Sequence, residues 1–164
     1  MRHYPKLLSA AVIASLILVA VTAAAIAGPF EDAKAAYDKD DYPTALRLFR
    51  SLAEQGDALA QQRLGLMYER GLSVPQDYAE AARWYRRAAD QGFASAQWTL
   101  SSMYATGSGV PKDYVQAHMW CNVSAAQGFE PATYCRADLE RAMTPEQVAE
   151  AQKLARDWKP KPER

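Results

Sequence analysis

The chain has 164 residues with 19 Lys+Arg against 19 Asp+Glu. The segment 1–27 holds two of the cations, Arg2 and Lys6, and no acid, so the rest of the chain carries 19 − 2 = 17 cations against 19 acids, a net charge of −2. That balance excludes the basic stripe that neutralises phosphates, and nucleic acid is not an expected partner. The stretch from 28 to 164 is long enough for one domain with a sizeable core.

The N-terminus opens with Arg2, His3 and Lys6 and then runs from Leu7 to Ala27 without a charge. A basic start, an apolar stretch and small residues at its end have the layout of a secretory signal. Ala25-Ile26-Ala27 supplies an A-x-A cleavage pattern, which would leave Gly28 as the new N-terminus. The expected location is therefore periplasmic or secreted. The alternative is an uncleaved anchor, since about 20 apolar residues can span a bilayer; membrane contact would then be through this segment alone.

Beyond it, two stretches repeat one design. Residues 58–93 and 94–129 align without a gap at an offset of 94 − 58 = 36. Tyr68 falls on Tyr104, Gly71 on Gly107, Val74-Pro75 on Val110-Pro111, Asp77-Tyr78 on Asp113-Tyr114, Trp84 on Trp120, and Gln91-Gly92-Phe93 on Gln127-Gly128-Phe129. A period of this size marks stacked units that bury one another's apolar faces. Each copy reads as helix, loop, helix. Ala60, Leu64 and Met67/Tyr68 recur at helical spacing, and Gly71 and Gly107 stand where a left-handed residue ends a helix. Asp77 and Asp113 are N-cap candidates, with Glu80 and Gln116 at the position of a capping-box partner. Upstream, 30–57 is a degenerate copy, whose loop from Tyr37 to Tyr42 is shorter than the equivalent from Tyr68 to Tyr78. Downstream, 130–143 gives one more first helix. Thr144-Pro145-Glu146-Gln147 then starts a charged helix ending near Trp158, read as a cap on the last repeat, so that 130–158 is a partial repeat and capping helix. Residues 159–164 are expected to form a disordered tail. No stretch shows strand-like alternation.

The pattern A-x-A-Q-x-x-L-G-x-x-Y-x-x-G-x-x-V-P-x-D-Y-x-x-A-x-x-W-Y-x-x-A-A-x-Q-G over 58–92 resembles the Sel-one-like repeat (SLR), a relative of the tetratricopeptide repeat. The resemblance covers nearly all of 30–158. The second copy departs at Ser101, where the first has Gly65, and at Cys121, where the first has Tyr85. The resemblance implies an all-α, right-handed α/α superhelix of about three and a half hairpin repeats plus a capping helix. It implies an adaptor for another protein or peptide, acting in the cell envelope; no cofactor is expected, and the chain is expected to be a monomer. A periplasmic regulator that sequesters a sensor's exported domain is the alternative. A third reading, a weak β-lactam-binding or -hydrolysing protein, finds little chemistry to support it. Ser51, Ser73, Ser108 and Ser124 all lack the Lys of S-x-x-K, and K-T-G does not occur. Beyond the leader, the one histidine, His118, with the distant pair Cys121 and Cys135 is a poor metal set. No catalytic or metal residue is therefore expected, and His118 is read as a packing or surface residue.

The resemblance also places the binding surface. With Leu64-Gly65 and Tyr68 as the interior signature, the residue two before Leu64 faces the concave groove. The column is Gln62, Trp98 and Tyr134, with Leu59, Leu66, Ser102 and Asp138 beside it. Trp98 is either an anchor in this groove or a wedge between repeats. Cys121 and Cys135 stand equally far on either side of Gly128, at the same height across the turn of a helix pair. In an oxidising compartment they could bridge, although packed helix axes lie about 8–10 Å apart and bridged Cα atoms about 4.4–6.8 Å. Two buried free thiols are the other reading.

Overall fold

A computed structural model describes residues 28–161; the expected leader, 1–27, and residues 162–164 lie outside the described residues. Among the described residues there are eight helices and no strand: α1 (Pro29–Asp38), α2 (Tyr42–Glu54), α3 (Ala58–Arg70), α4 (Tyr78–Asp90), α5 (Ala94–Thr106), α6 (Tyr114–Ala126), α7 (Glu130–Glu140) and α8 (Pro145–Asp157). From α1 to α7 each helix packs on the next, which makes a solenoid of hairpins α1–α2, α3–α4 and α5–α6 followed by α7.

Local chemistry sets the boundaries. The Asp57 and Asp77 carboxylates accept N–H donors of the first turns of α3 and α4, and Asp113 does so for α6. Thr144 and Gln147 form the reciprocal capping box that starts α8. Gly71 and Gly107 end α3 and α5 in the left-handed conformation, at φ 68° and 79°. In both loops the chain then returns to the helix it left. Asp77 N–H donates to Tyr68 O and Asp113 N–H to Tyr104 O, each at 3.0 Å.

The core is a row of clusters, as stacking requires. Ala33, Phe49, Leu64 and Met67 fill the space between the first two hairpins, where Trp84 leans on them. Leu100, Met119, Trp120 and Tyr85 fill the next. Trp120 is 1% exposed, with Arg86 over its ring at 5.1 Å and Trp158 edge-on at 6.0 Å. Small alanines at Ala60, Ala81, Ala88, Ala96 and Ala117 are fully buried and let the helices approach closely.

Buried amides join the repeats. Gln61 on α3 donates to Ala53 O of α2 at 3.1 Å, and Gln97 on α5 donates to Ala89 O of α4 at 3.0 Å. The end of each second helix adds another link: Gln91 Nε2 reaches Gln61 Oε1 at 2.8 Å, and Gln127 Nε2 reaches Gln97 Oε1 at 2.6 Å. Each buried amide thus satisfies a backbone carbonyl and a partner amide together.

Three features depart from local expectation. The cap α8 folds onto α6, where it buries Ala151, and hardly touches α7, its neighbour in sequence. Lys159–Lys161, expected in the disordered tail, are held. Burial of Trp158 on Trp120 carries them along α4, where Lys161 N–H donates to Asp90 O at 2.7 Å. Gly109, at φ 72°, lies so close to the first turn of α4 that a Cβ there would stand 2.1 Å from Tyr78 O. Ser73, its counterpart one repeat earlier, shares the left-handed conformation at φ 61° and is exposed.

Cys121 of α6 and Cys135 of α7 are bonded, with Cα atoms 6.4 Å apart. The alanines around the turn bring the two helices near enough for the short side chains to meet. The bond closes a loop across a sequence separation of 14, which by loop entropy contributes roughly 3 kcal/mol. Denatured, unreduced protein is therefore expected to show no free thiol. Reduction, or replacement of both cysteines by alanine, should lower the unfolding free energy by about 2–4 kcal/mol. Equal denaturant midpoints for oxidised and reduced protein would contradict this.

Candidate functional site

A cleft of about 360 Å³ opens between the first helices of the second and third hairpins. From α3 come Gln62, Arg63, Leu66 and Glu69; from α5 come Trp98, Thr99, Ser102, Met103 and Thr106; Tyr78 and Tyr85 enter from α4. Helical periodicity explains the grouping. Gln62, Leu66 and Glu69 lie on one stripe of α3, and Trp98, Ser102 and Thr106 lie on one stripe of α5. The offset that superimposes the copies pairs Gln62 with Trp98 and Leu66 with Ser102.

The cleft thus gathers four of the seven surface residues read from the sequence: Gln62, Leu66, Trp98 and Ser102. Leu59, Tyr134 and Asp138 do not line it. Leu59 is half-buried a turn below Gln62; Asp138 is exposed on α7 and paired with Arg141. Tyr134, also on α7, is 70% exposed. Trp98 sits between its two expected placements. Its ring rests on Phe129 with centroids 6.0 Å apart, yet it remains 38% exposed. Gln62 Nε2 donates to Ser95 Oγ at 2.5 Å and ties the two walls together.

Tyr85 is the buried back of the cleft. Its hydroxyl donates to Glu69 Oε2 at 2.6 Å. Burial, and then the Glu69 carboxylate, hold that phenol above the usual tyrosine range, so it remains a donor at any physiological pH. A Cβ at Gly65 would meet the Tyr85 ring at 3.0 Å, so glycine makes the room the ring occupies. One repeat on, the three positions change together. Cys121 replaces the ring, Ser101 replaces the glycine and donates to Ala117 O at 2.7 Å, and Ala105 replaces Glu69. The two departures at Ser101 and Cys121 are one packing exchange, and it leaves Cys121 small enough to reach Cys135.

Arg63, Glu69, Tyr78 and Tyr85 are cleft residues that sequence reasoning missed. For Tyr85 and Glu69 the coupled exchange between copies was the available signal. Arg63 Nε is buried without a hydrogen-bond partner, a donor left over on the cleft wall. His118 lies elsewhere, fully buried, with Nε2 3.0 Å from Glu140 Oε1 and Nδ1 2.9 Å from Asn122 Nδ2. Asn122 can only donate through that nitrogen, so Nδ1 accepts and Nε2–H faces the carboxylate. It holds α6 to the end of α7. Among the described residues no group of three His, Cys, Asp or Glu side chains could hold a metal ion, and no helix is long and apolar enough to cross a membrane.

The Sel1 repeat family matches residues 34–57, 58–93 and 94–129, more than half of the chain, and the second and third stretches begin where α3 and α5 begin. The chain belongs to the Sel1 repeat family. Among solved structures, this Sel1 repeat chain is similar to c5321, a protective antigen present in uropathogenic Escherichia coli strains that displays an SLR fold. The TM-score is 0.75 and identity 30%, over 79% of this chain and 29% of that one. A Sel1 repeat protein from Oxalobacter formigenes matches with a TM-score of 0.65 and 26% identity, over 79% of this chain and 56% of that one. The chain therefore spans well under two thirds of either neighbour. No curated protein matches it. Sel1 repeat proteins in general mediate protein–protein interaction.

Proposed function

We propose that this chain is a non-enzymatic interaction module of the cell envelope, exported by its N-terminal segment, that holds a partner protein or peptide in the cleft between α3 and α5. The observation that carries the reading is Trp98, a large aromatic 38% exposed in a cleft with side-chain donors on both walls. Indole rings at such positions supply contact area at low entropic cost and are enriched among residues that dominate interfaces. Family membership supports the reading, because interaction is what these repeats generally do.

Trp98→Ala tests it. In-cell crosslinking of tagged protein should capture a partner with wild type and about tenfold less of it with the variant, the effect of a ~2 kcal/mol hot spot. The melting temperature should fall by no more than a few degrees, because the ring is 38% exposed. A loss of about 3–5 kcal/mol, the range of buried Trp truncations, would make Trp98 a core residue, and unchanged capture would remove it from the site. N-terminal sequencing of protein from outside the cytoplasm is expected to begin at or near Gly28; intact Met1 in a soluble cytosolic fraction would overturn export.

A further inference from the structure

Because α7 and α8 each pack on α6 and hardly on each other, the last hairpin is splayed. The gap it leaves is a second cleft, of about 450 Å³, remote from the one between α3 and α5. Val123 and Ala126 of α6 form its floor, and Ala155 and the half-buried Trp158 form an apolar wall. Arg136 of α7 and Arg156 of α8 enter from opposite sides, and no acid lines the space. Neither guanidinium has an ion-pair partner among the described residues.

We propose that this cleft is a binding site for an apolar organic carboxylate, either a small free acid or the C-terminal residue of a peptide. Two uncompensated cations on a low-dielectric wall favour an anion. The planar guanidinium fork matches a carboxylate and can grip it with two parallel hydrogen bonds. The apolar floor and the Trp158 ring ask for a hydrophobic body behind that charge, which inorganic phosphate lacks. A ligand held here would wedge between the cap and α7.

The four indole N–H signals of 15N-tryptophan-labelled protein provide the readout, with Trp158→Phe assigning the relevant one. The probe 3-phenylpropanoate should shift the Trp158 signal with a Kd on the order of 1 mM, the scale for a ligand of that size, and leave Trp98 unmoved. Its uncharged amide should bind about tenfold more weakly, as should the carboxylate to the double variant Arg136→Gln/Arg156→Gln. Both arginines are exposed, so unshifted Trp84 and Trp98 signals in that variant report an intact fold. N-acetyl-alanyl-phenylalanine distinguishes the sources: tighter binding than phenylpropanoate assigns a peptide terminus, and exclusion assigns a small acid. Equal affinity for acid and amide, equal affinity for inorganic phosphate, or a Trp158 signal that does not move would each overturn the proposal. None of these outcomes depends on Trp98 or on partner capture.

Discussion

Trp120→Ala is expected to lower the unfolding free energy by about 3–5 kcal/mol, the cost of emptying a fully buried indole site. At 1% exposure the ring has nowhere to be replaced by water, and three helices meet on it. It belongs to α6, takes Arg86 of α4 over one face and receives Trp158 from the end of α8. Truncation therefore removes the seat of the C-terminal cap as well as core volume. For a chain of this size the loss corresponds to a fall in melting temperature of about 10–18 °C. Trp120→Phe should recover a large part of it, since the edge contact with Trp158 survives. Trp84→Ala, the same position one repeat earlier, should cost less, because Trp84 is only half-buried. A Trp120→Ala protein that melts within a few degrees of wild type would show that the cap does not rest on this ring.

Gly109→Ala is expected to cost about 3 kcal/mol or more, although it adds one methyl group at an exposed position. Two terms combine. A left-handed conformation costs an L-residue with a Cβ roughly 1–2 kcal/mol. The methyl would also stand 2.1 Å from Tyr78 O and 2.7 Å from Ala79 N, which are backbone atoms that cannot swing aside. The loop must lift from α4 or the first turn of α4 must open. Ser73→Ala is the control: that position has the same backbone conformation and already carries a Cβ, so denaturant midpoints should differ little from wild type. Similar midpoints for Gly109→Ala and wild type would mean that the loop does not dock on α4.

The part of this architecture that can be read from sequence is the part written in local chemistry. Gly71, Asp77 and Thr144 carry their meaning within a few residues, and the constant offset between copies multiplies each signal by repeating it. The matched distances of Cys121 and Cys135 from Gly128 are legible for the same reason, as both lie in one hairpin. What escapes is the non-local. Nothing near Gly109 announces Tyr78 O, with the whole of α4 and α5 between them in the chain, and the counterpart Ser73 argues against any need for glycine. The order of the chain assigns α8 to α7, while burial of Trp158 on Trp120 assigns it to α6. Within the cleft, Gln62 and Trp98 follow from the pairing of first helices. Arg63 and Glu69 lie beside that column and face the same space only because α3 and α5 are set at a particular distance by the helix between them.

The amides Gln61 and Gln97 have a consequence for how the array opens. In a linear stack, the length of the segment that melts as a unit depends on the terms between neighbours relative to the stability of each unit. Here those terms differ in kind along the chain. The first two junctions are fastened by side-chain amides that must be broken together with a backbone carbonyl and a second amide. The third has Thr133 where the series would place another glutamine, and it is fastened by the covalent bond from Cys121 and by the contact of His118 with Glu140. Oxidation therefore adds a covalent restraint at the C-terminal junction to the contacts of His118 with Glu140 and of Trp158 with Trp120, while the earlier hairpins are coupled through their glutamines.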